Sequence, residues 1–151
     1  MSKTKKRKSY GNYFLIALIV IILDQIVKYL IKTSFNLNES FILIKSFLKI
    51  TFITNTGSAF GTLQGSNSYL IFFSLIVLGA ILFYWDKIDN KEKIFYVLII
   101  SGIIGNLIDR VIYGFVIDFI SFSFWPAFNI ADSALTIGII GLIILSFKDN
   151  I

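Results

Sequence analysis

The chain has 151 residues, 56% of them hydrophobic and 15% charged, with a mean hydropathy of +0.82 and a formal net charge of +5. A chain this short and this apolar reads as one integral membrane domain over 1–151, without linker, composition break or internal repeat. It has neither Cys nor His, which excludes a disulfide framework, cysteine nucleophiles, Ser-His-Asp triads and the usual Cys/His zinc sites.

The charge is concentrated at the start, in Lys3, Lys5, Lys6, Arg7 and Lys8. Such a run can bind nucleic acid, but beside an apolar helix it marks a cytoplasmic end facing anionic lipid, so no nucleic-acid partner is expected. Residues 13–32 form the first apolar run, long enough at 1.5 Å per residue to cross a hydrocarbon core of about 30 Å. It is too long for a cleaved signal peptide, lacks a small-x-small site and carries Asp24 and Lys28, so a retained helix is expected. Residues 33–68 are mixed. Within them 47–54, rich in Phe, Ile and Thr, reads as a short strand, broken by the turn residues Asn55 to Gly61. Further spans are expected at 69–85, 94–113 and 129–147, joined by a charged loop at 86–93 and a loop at 114–128 containing Trp125 and Pro126.

Lysine and arginine fall in the N-terminal segment, the 86–93 loop (Lys87, Lys91, Lys93) and the tail (Lys148), against two in 33–68 (Lys45, Lys49) and none in 114–128. The positive-inside rule then puts both termini in the cytoplasm. With that orientation Asp24, Lys28, Asn106, Asp109, Arg110, Asp118, Asn129 and Asp132 all map to one depth, the outer membrane face.

Charged side chains in an apolar setting are costly and are usually functional or paired. Asp24 and Lys28, at i and i+4, read either as a pair that eases insertion or as a site carboxylate with a lysine that snorkels to the interface. Asn106, Asp109 and Arg110 share a helix face beside Gly102 and Gly105, which permit close helix packing. They read as a polar clamp, with Arg110 also placed to hold the loop carrying Asp118 or to meet a lipid headgroup. Asn129 and Asp132 share a face at a helix start, where capping is the structural alternative; it suits Asn129 better than Asp132. Asp118 sits among apolar neighbours in Gly-Phe-Val-Ile-Asp-Phe. Held together, Asp118 and Asp132 cannot both ionise and share one proton. The ionised partner can take a proton from water and the protonated one can donate to a carbonyl, which is peptide hydrolysis without His, Cys or metal.

These residues stand in ordered motifs: Asp24-Gln25-x-x-Lys28; Asn55-x-Gly57-x-Ala59-Phe60; Gly105-Asn106-x-x-Asp109-Arg110 followed by Gly114-x-Val116-x-Asp118-Phe119; and Phe128-Asn129-x-Ala131-Asp132. The chain resembles the bacterial lipoprotein signal peptidases (signal peptidase II), aspartyl intramembrane peptidases. It departs from their pattern at Ser58, where Ala is usual, and Ser101, where Gly is frequent. The resemblance implies an all-α integral membrane fold of four transmembrane helices, N-in and C-in, with a small extracytoplasmic β cradle and a lid segment after helix 1. It implies catalysis by Asp118 and Asp132, without cofactor or metal, in the bacterial cytoplasmic (inner) membrane. Asp24, Lys28, Asn55, Gly57, Phe60, Asn106, Asp109, Arg110, Asn129 and Ala131 are the supporting or substrate-lining residues it points to. The implied substrate is a prolipoprotein with diacylglyceryl on the cysteine before which the chain is cut. Membrane lipids are expected partners, and globomycin-type depsipeptides expected inhibitors. Phe60, Phe119, Trp125 and Phe128 are candidate apolar walls. The rivals are a small ion- or proton-coupled transporter, against which the absence of a repeat and the off-centre polar groups argue, and a non-catalytic assembly protein whose polar groups are interhelical glue.

Overall fold

The computed structural model describes residues 10–57 and 66–149. The order is α1 (Tyr10–Ser34), β1 (Ser40–Ile44), β2 (Leu48–Asn55), α2 (Asn67–Phe83), a 3-10 turn at Trp85–Lys87, α3 (Lys93–Tyr113), β3 (Val116–Phe122) and α4 (Ile130–Asp149). Helices α1, α3 and α4 are long and apolar enough to cross a membrane, and α2 is a shorter apolar helix. The architecture is therefore helical, with three spanning candidates, a fourth apolar helix and one small sheet. At 17 residues, α2 extends roughly 26 Å, somewhat less than an average hydrocarbon core.

Helix α3 is central and packs on α1, α2 and α4. Glycines decide how closely it meets α4. A side chain on Gly102 would collide with the Ala131 carbonyl and Leu135, and one on Gly138 or Gly141 would collide with Ile99 or Phe95. Where apolar attraction between helices is offset by lipid contacts, such small residues let backbones approach and gain dispersion contact. Helix α3 ends at Gly114, whose φ of 80° is a left-handed cap that returns its N–H to the Arg110 carbonyl at 3.1 Å. That cap turns the chain directly into β3.

The sheet is antiparallel in the order β1-β2-β3. Strand β2 lies one residue from the expected 47–54. Strand β3 corrects the reading of 114–128 as a loop. Its first four residues are all buried, so the polar-apolar alternation that advertises a half-exposed strand is missing. The two-residue period still operates: Ile117 and Phe119 join Ile31 and Phe52 in a buried core, with Val27 and Phe35 of α1 against it, while Val116 and Asp118 face a cavity. The sheet thus rests on the end of α1 and carries Asp118 on its other face. Strand β1, with every residue exposed, gave no alternating signal within 33–68.

The candidate dyad and its buried charge cluster

Asp118 is 2% exposed. Its Oδ1 accepts from Asn129 Nδ2 at 2.8 Å and its Oδ2 from Asn55 Nδ2 at 3.1 Å. Asn55 stands at the end of β2, and its own Oδ1 accepts the Gly57 N–H at 3.0 Å, which leaves its amide nitrogen to face Asp118. Burial and then the neighbouring Asp132 push the Asp118 carboxyl from 3.8 up to about 7, against the opposing pull of Asn55, Lys28 and Asn129.

Asp132 is held differently. Asn129 Oδ1 accepts the Asp132 N–H at 2.8 Å, and Asp132 Oδ2 accepts the Asn129 N–H at 3.3 Å. This reciprocal pair is a capping box at the start of α4, so capping, which the spacing favours for Asn129 over Asp132, is a role that both residues perform. Its other oxygen remains available and accepts from Asn106 Nδ2 at 2.7 Å. Each of the four carboxylate oxygens of Asp118 and Asp132 therefore receives one N–H. Asn129 joins the two acids, and both line a cavity of about 920 Å³.

Behind the pair lies a buried charge cluster. Lys28 Nζ is 2.7 Å from Asp24 Oδ2, 2.9 Å from Asp109 Oδ2 and 3.0 Å from Asn106 Oδ1. Lys28 does not snorkel; it is 2% exposed and turned inward. Its three ammonium protons have three acceptors, and removing one partner from such a buried group costs about 3–5 kcal/mol. The acids also position backbone. Asp24 Oδ1 accepts the Ala131 N–H of α4 at 2.9 Å, and Asp109 Oδ2 accepts the Ile117 N–H of β3 at 3.1 Å. An acid from α1 thus steadies the element bearing Asp132, and one from α3 steadies the element bearing Asp118. The clamp expected at Asp109 and Arg110 splits: Asp109 ties α1 and β3 to α3, whereas Arg110 Nη2 donates to the Gly57 carbonyl at 3.3 Å and lines the cavity.

The remaining expected residues sort as follows. Ala131 is fully buried against α3, where a side chain on Gly105 would meet its Cβ; it packs the wall and does not face the cavity. Trp125 and Phe128 line the cavity. Phe119 does not, because its neighbour Asp118 takes the cavity face and Phe119 takes the core. Phe60, Ser58, Ala59 and the basic run Lys3 to Lys8 lie outside the described residues. Reading the residues missed the role of Gln25, whose Nε2 donates to Asp109 Oδ1 at 3.0 Å and to the Gly105 carbonyl at 3.1 Å. A glutamine beside an intramembrane aspartate is the available signal. Among the described residues no cluster of His, Cys, Asp and Glu is arranged to hold a metal ion.

Comparison with known proteins gives one consistent result. A family model described as Signal peptidase (SPase) II matches residues 16–148. Lipoprotein signal peptidases of Staphylococcus aureus strains MRSA252 and JH9 are 41% and 40% identical to the chain over 153 aligned positions, covering 96% of it and 93% of each relative. Two solved structures are similar, each described as a bacterial membrane enzyme structure by the in meso method. The first has a TM-score of 0.88 and 39% identity, over 93% of this chain and 90% of that one. The second has a TM-score of 0.84 and 40% identity, over 92% and 94%.

Proposed function

Because the chain belongs to the signal peptidase II family, a membrane-embedded aspartic endopeptidase that removes signal peptides from lipoproteins, we propose that Asp118 and Asp132 are its catalytic dyad. The observation that carries this reading is the arrangement of the two carboxyls: both line one cavity, joined through Asn129, with an N–H on every oxygen. Fixed donors, and for Asp118 near-complete burial, let one proton be shared between two acids. The ionised acid takes a proton from water, whose oxygen adds to the scissile carbonyl carbon. The protonated acid donates to the carbonyl oxygen, giving a neutral tetrahedral diol. Collapse of the diol breaks the C–N bond: the acid that protonated the carbonyl takes a proton back from a diol hydroxyl, leaving the carboxylic acid, and the proton first taken from water passes to the leaving amine, so the dyad again holds one proton.

The substrate carries diacylglyceryl on the cysteine that becomes the new N-terminus. The apolar arm of the cavity, along Phe73, Val77, Ile103 and Leu135, offers such substrates apolar walls without requiring them to leave the bilayer. The chain acts as one multi-pass domain of the cytoplasmic (inner) membrane, with α2 as a fourth span, both termini inside and the dyad toward the outer face. Globomycin-type depsipeptides block the site.

The test is cleavage of a diacylglyceryl-modified prolipoprotein by purified wild type, Asp118→Asn and Asp132→Asn, each checked for folding by thermal stability. Each variant is expected to lose at least about 10³-fold in rate while remaining folded. A folded variant that still cuts makes that aspartate structural and removes it from the dyad.

A further inference from the structure

The dyad's donors are asparagines, and a carboxamide can present either an amide nitrogen or an oxygen to a carboxylate. Two of the three are held by backbone: Asn55 Oδ1 by the Gly57 N–H and Asn129 Oδ1 by the Asp132 N–H. Asn106 differs. Its Oδ1 accepts from Lys28 Nζ at 3.0 Å and from Asn129 Nδ2 at 3.0 Å, and its Nδ2 donates to Asp132 Oδ1 at 2.7 Å. Reversing this amide would set its NH2 against an ammonium and another NH2, and its oxygen against a carboxylate, so three favourable contacts would become three repulsions. Lys28 itself has no freedom to follow, since Asp24 and Asp109 take its other two protons.

From this we infer that Lys28 is a positioning residue for the reaction: it fixes the Asn106 carboxamide so that Asp132 always receives a proton donor. The inference rests on the reading of Asp118 and Asp132 as the dyad. The lysine never reaches the cavity lining; it acts through one amide, and a hydrogen bond polarised by an ammonium is a stronger donor than an isolated amide. The consequence is a dyad that loses its first proton more readily and so keeps an ionised member over a wider acid range. The charged and titratable groups facing the pair are Asp24 and Lys28 from α1, Asp109 and Arg110 from α3, Asp118 from β3 and Asp132 from α4; α2 contributes none among the described residues. Arg110 is held on the Gly57 carbonyl and lies outside the Lys28–Asn106 chain, so the relay is separable from it.

The pH dependence of kcat/KM separates this role from a merely structural one. Deleting Lys28 alone strands two buried acids, so Asp109→Asn serves as the reference, to which Lys28→Met, Asn106→Ala and both together are added. A diacylglyceryl-cysteine prolipopeptide is the substrate, assayed from pH 4 to 9. Either addition is expected to move the acid limb upward by about one pH unit, a tenfold loss on that limb, and both together by no more than either. An unmoved limb with Lys28→Met overturns the relay. So do additive shifts, which mark a through-space charge effect independent of the amide. If the Lys28 variants do not fold, Asn106→Ala decides: an unmoved limb overturns the relay and a moved one supports it. Failure of the dyad reading looks different, since there a folded Asp118→Asn or Asp132→Asn protein still cuts.

Discussion

At the scale of single residues, Asp118 carries the clearest pH signature. Its carboxyl lies at about 7 in the folded chain against an ordinary 3.8. Between those values the unfolded chain has released this proton and the folded chain has kept it, so its contribution to stability is complete below 3.8 and is lost as pH rises through 7. Asp118→Asn cannot ionise and escapes that loss. The amide does give up one of the two donors the carboxylate accepts, but this cost is the same at every pH. The stability of the variant relative to wild type is therefore expected to improve from pH 4 to pH 8, by up to about 4 kcal/mol. Denaturation in detergent at the two pH values checks this, and a pH-independent difference would contradict it. In the proposed mechanism the same proton sets activity: once the pair has lost it, no acid remains for the carbonyl oxygen. The basic limb of the kcat/KM profile is expected near pH 7, reported as a property of the coupled pair.

At the scale of elements, the site depends on how closely α3 meets α1 and α4, and on how β3 is anchored. A Cβ on Gly105 would lie 2.9 Å from both Asp24 Oδ2 and Ala131 Cβ, between the carboxylate that holds Lys28 and the start of α4. Gly105→Ala is expected to destabilise by about 1–3 kcal/mol, the usual range for overpacking, and to lower kcat through displacement of the α4 start. Thermal melts and single-turnover cleavage of the same preparation test both effects. Phe119, 4% exposed in the core under the sheet, is the counterpart on β3. Phe119→Ala is expected to cost about 3–5 kcal/mol and to reduce activity although the side chain does not face the cavity. Full activity at reduced stability would show that the position of Asp118 is set by Asp109 and the strand pairing alone.

At the scale of the whole molecule, the proposed topology makes a prediction that suits a chain without cysteine. Single cysteines at Lys45, between β1 and β2, and at Asn90, between α2 and α3, both fall at exposed positions. A membrane-impermeant maleimide applied to intact cells is expected to label the first and spare the second; the reverse pattern would invert the orientation. The positions of α1, α3 and α4 and the motifs that carry the family resemblance could be read from residue order, because each is a local property of the chain. Strand β3 could not, because its alternation is hidden by burial on both faces. The inward turn of Lys28 could not either, since an i, i+4 pair with Asp24 is equally compatible with a lysine reaching for the interface. What selects the inward turn is Asp109, 81 positions further along the chain and supplied by α3. In the same way the capping role of Asp132 follows from local spacing, while its link to Asn106 exists only because glycines let α3 and α4 close. The sequence by itself determined which chemical groups the membrane must bury. Tertiary structure alone decided which of them became partners, because a buried charge is satisfied by whatever the packing of other helices brings within hydrogen-bond reach.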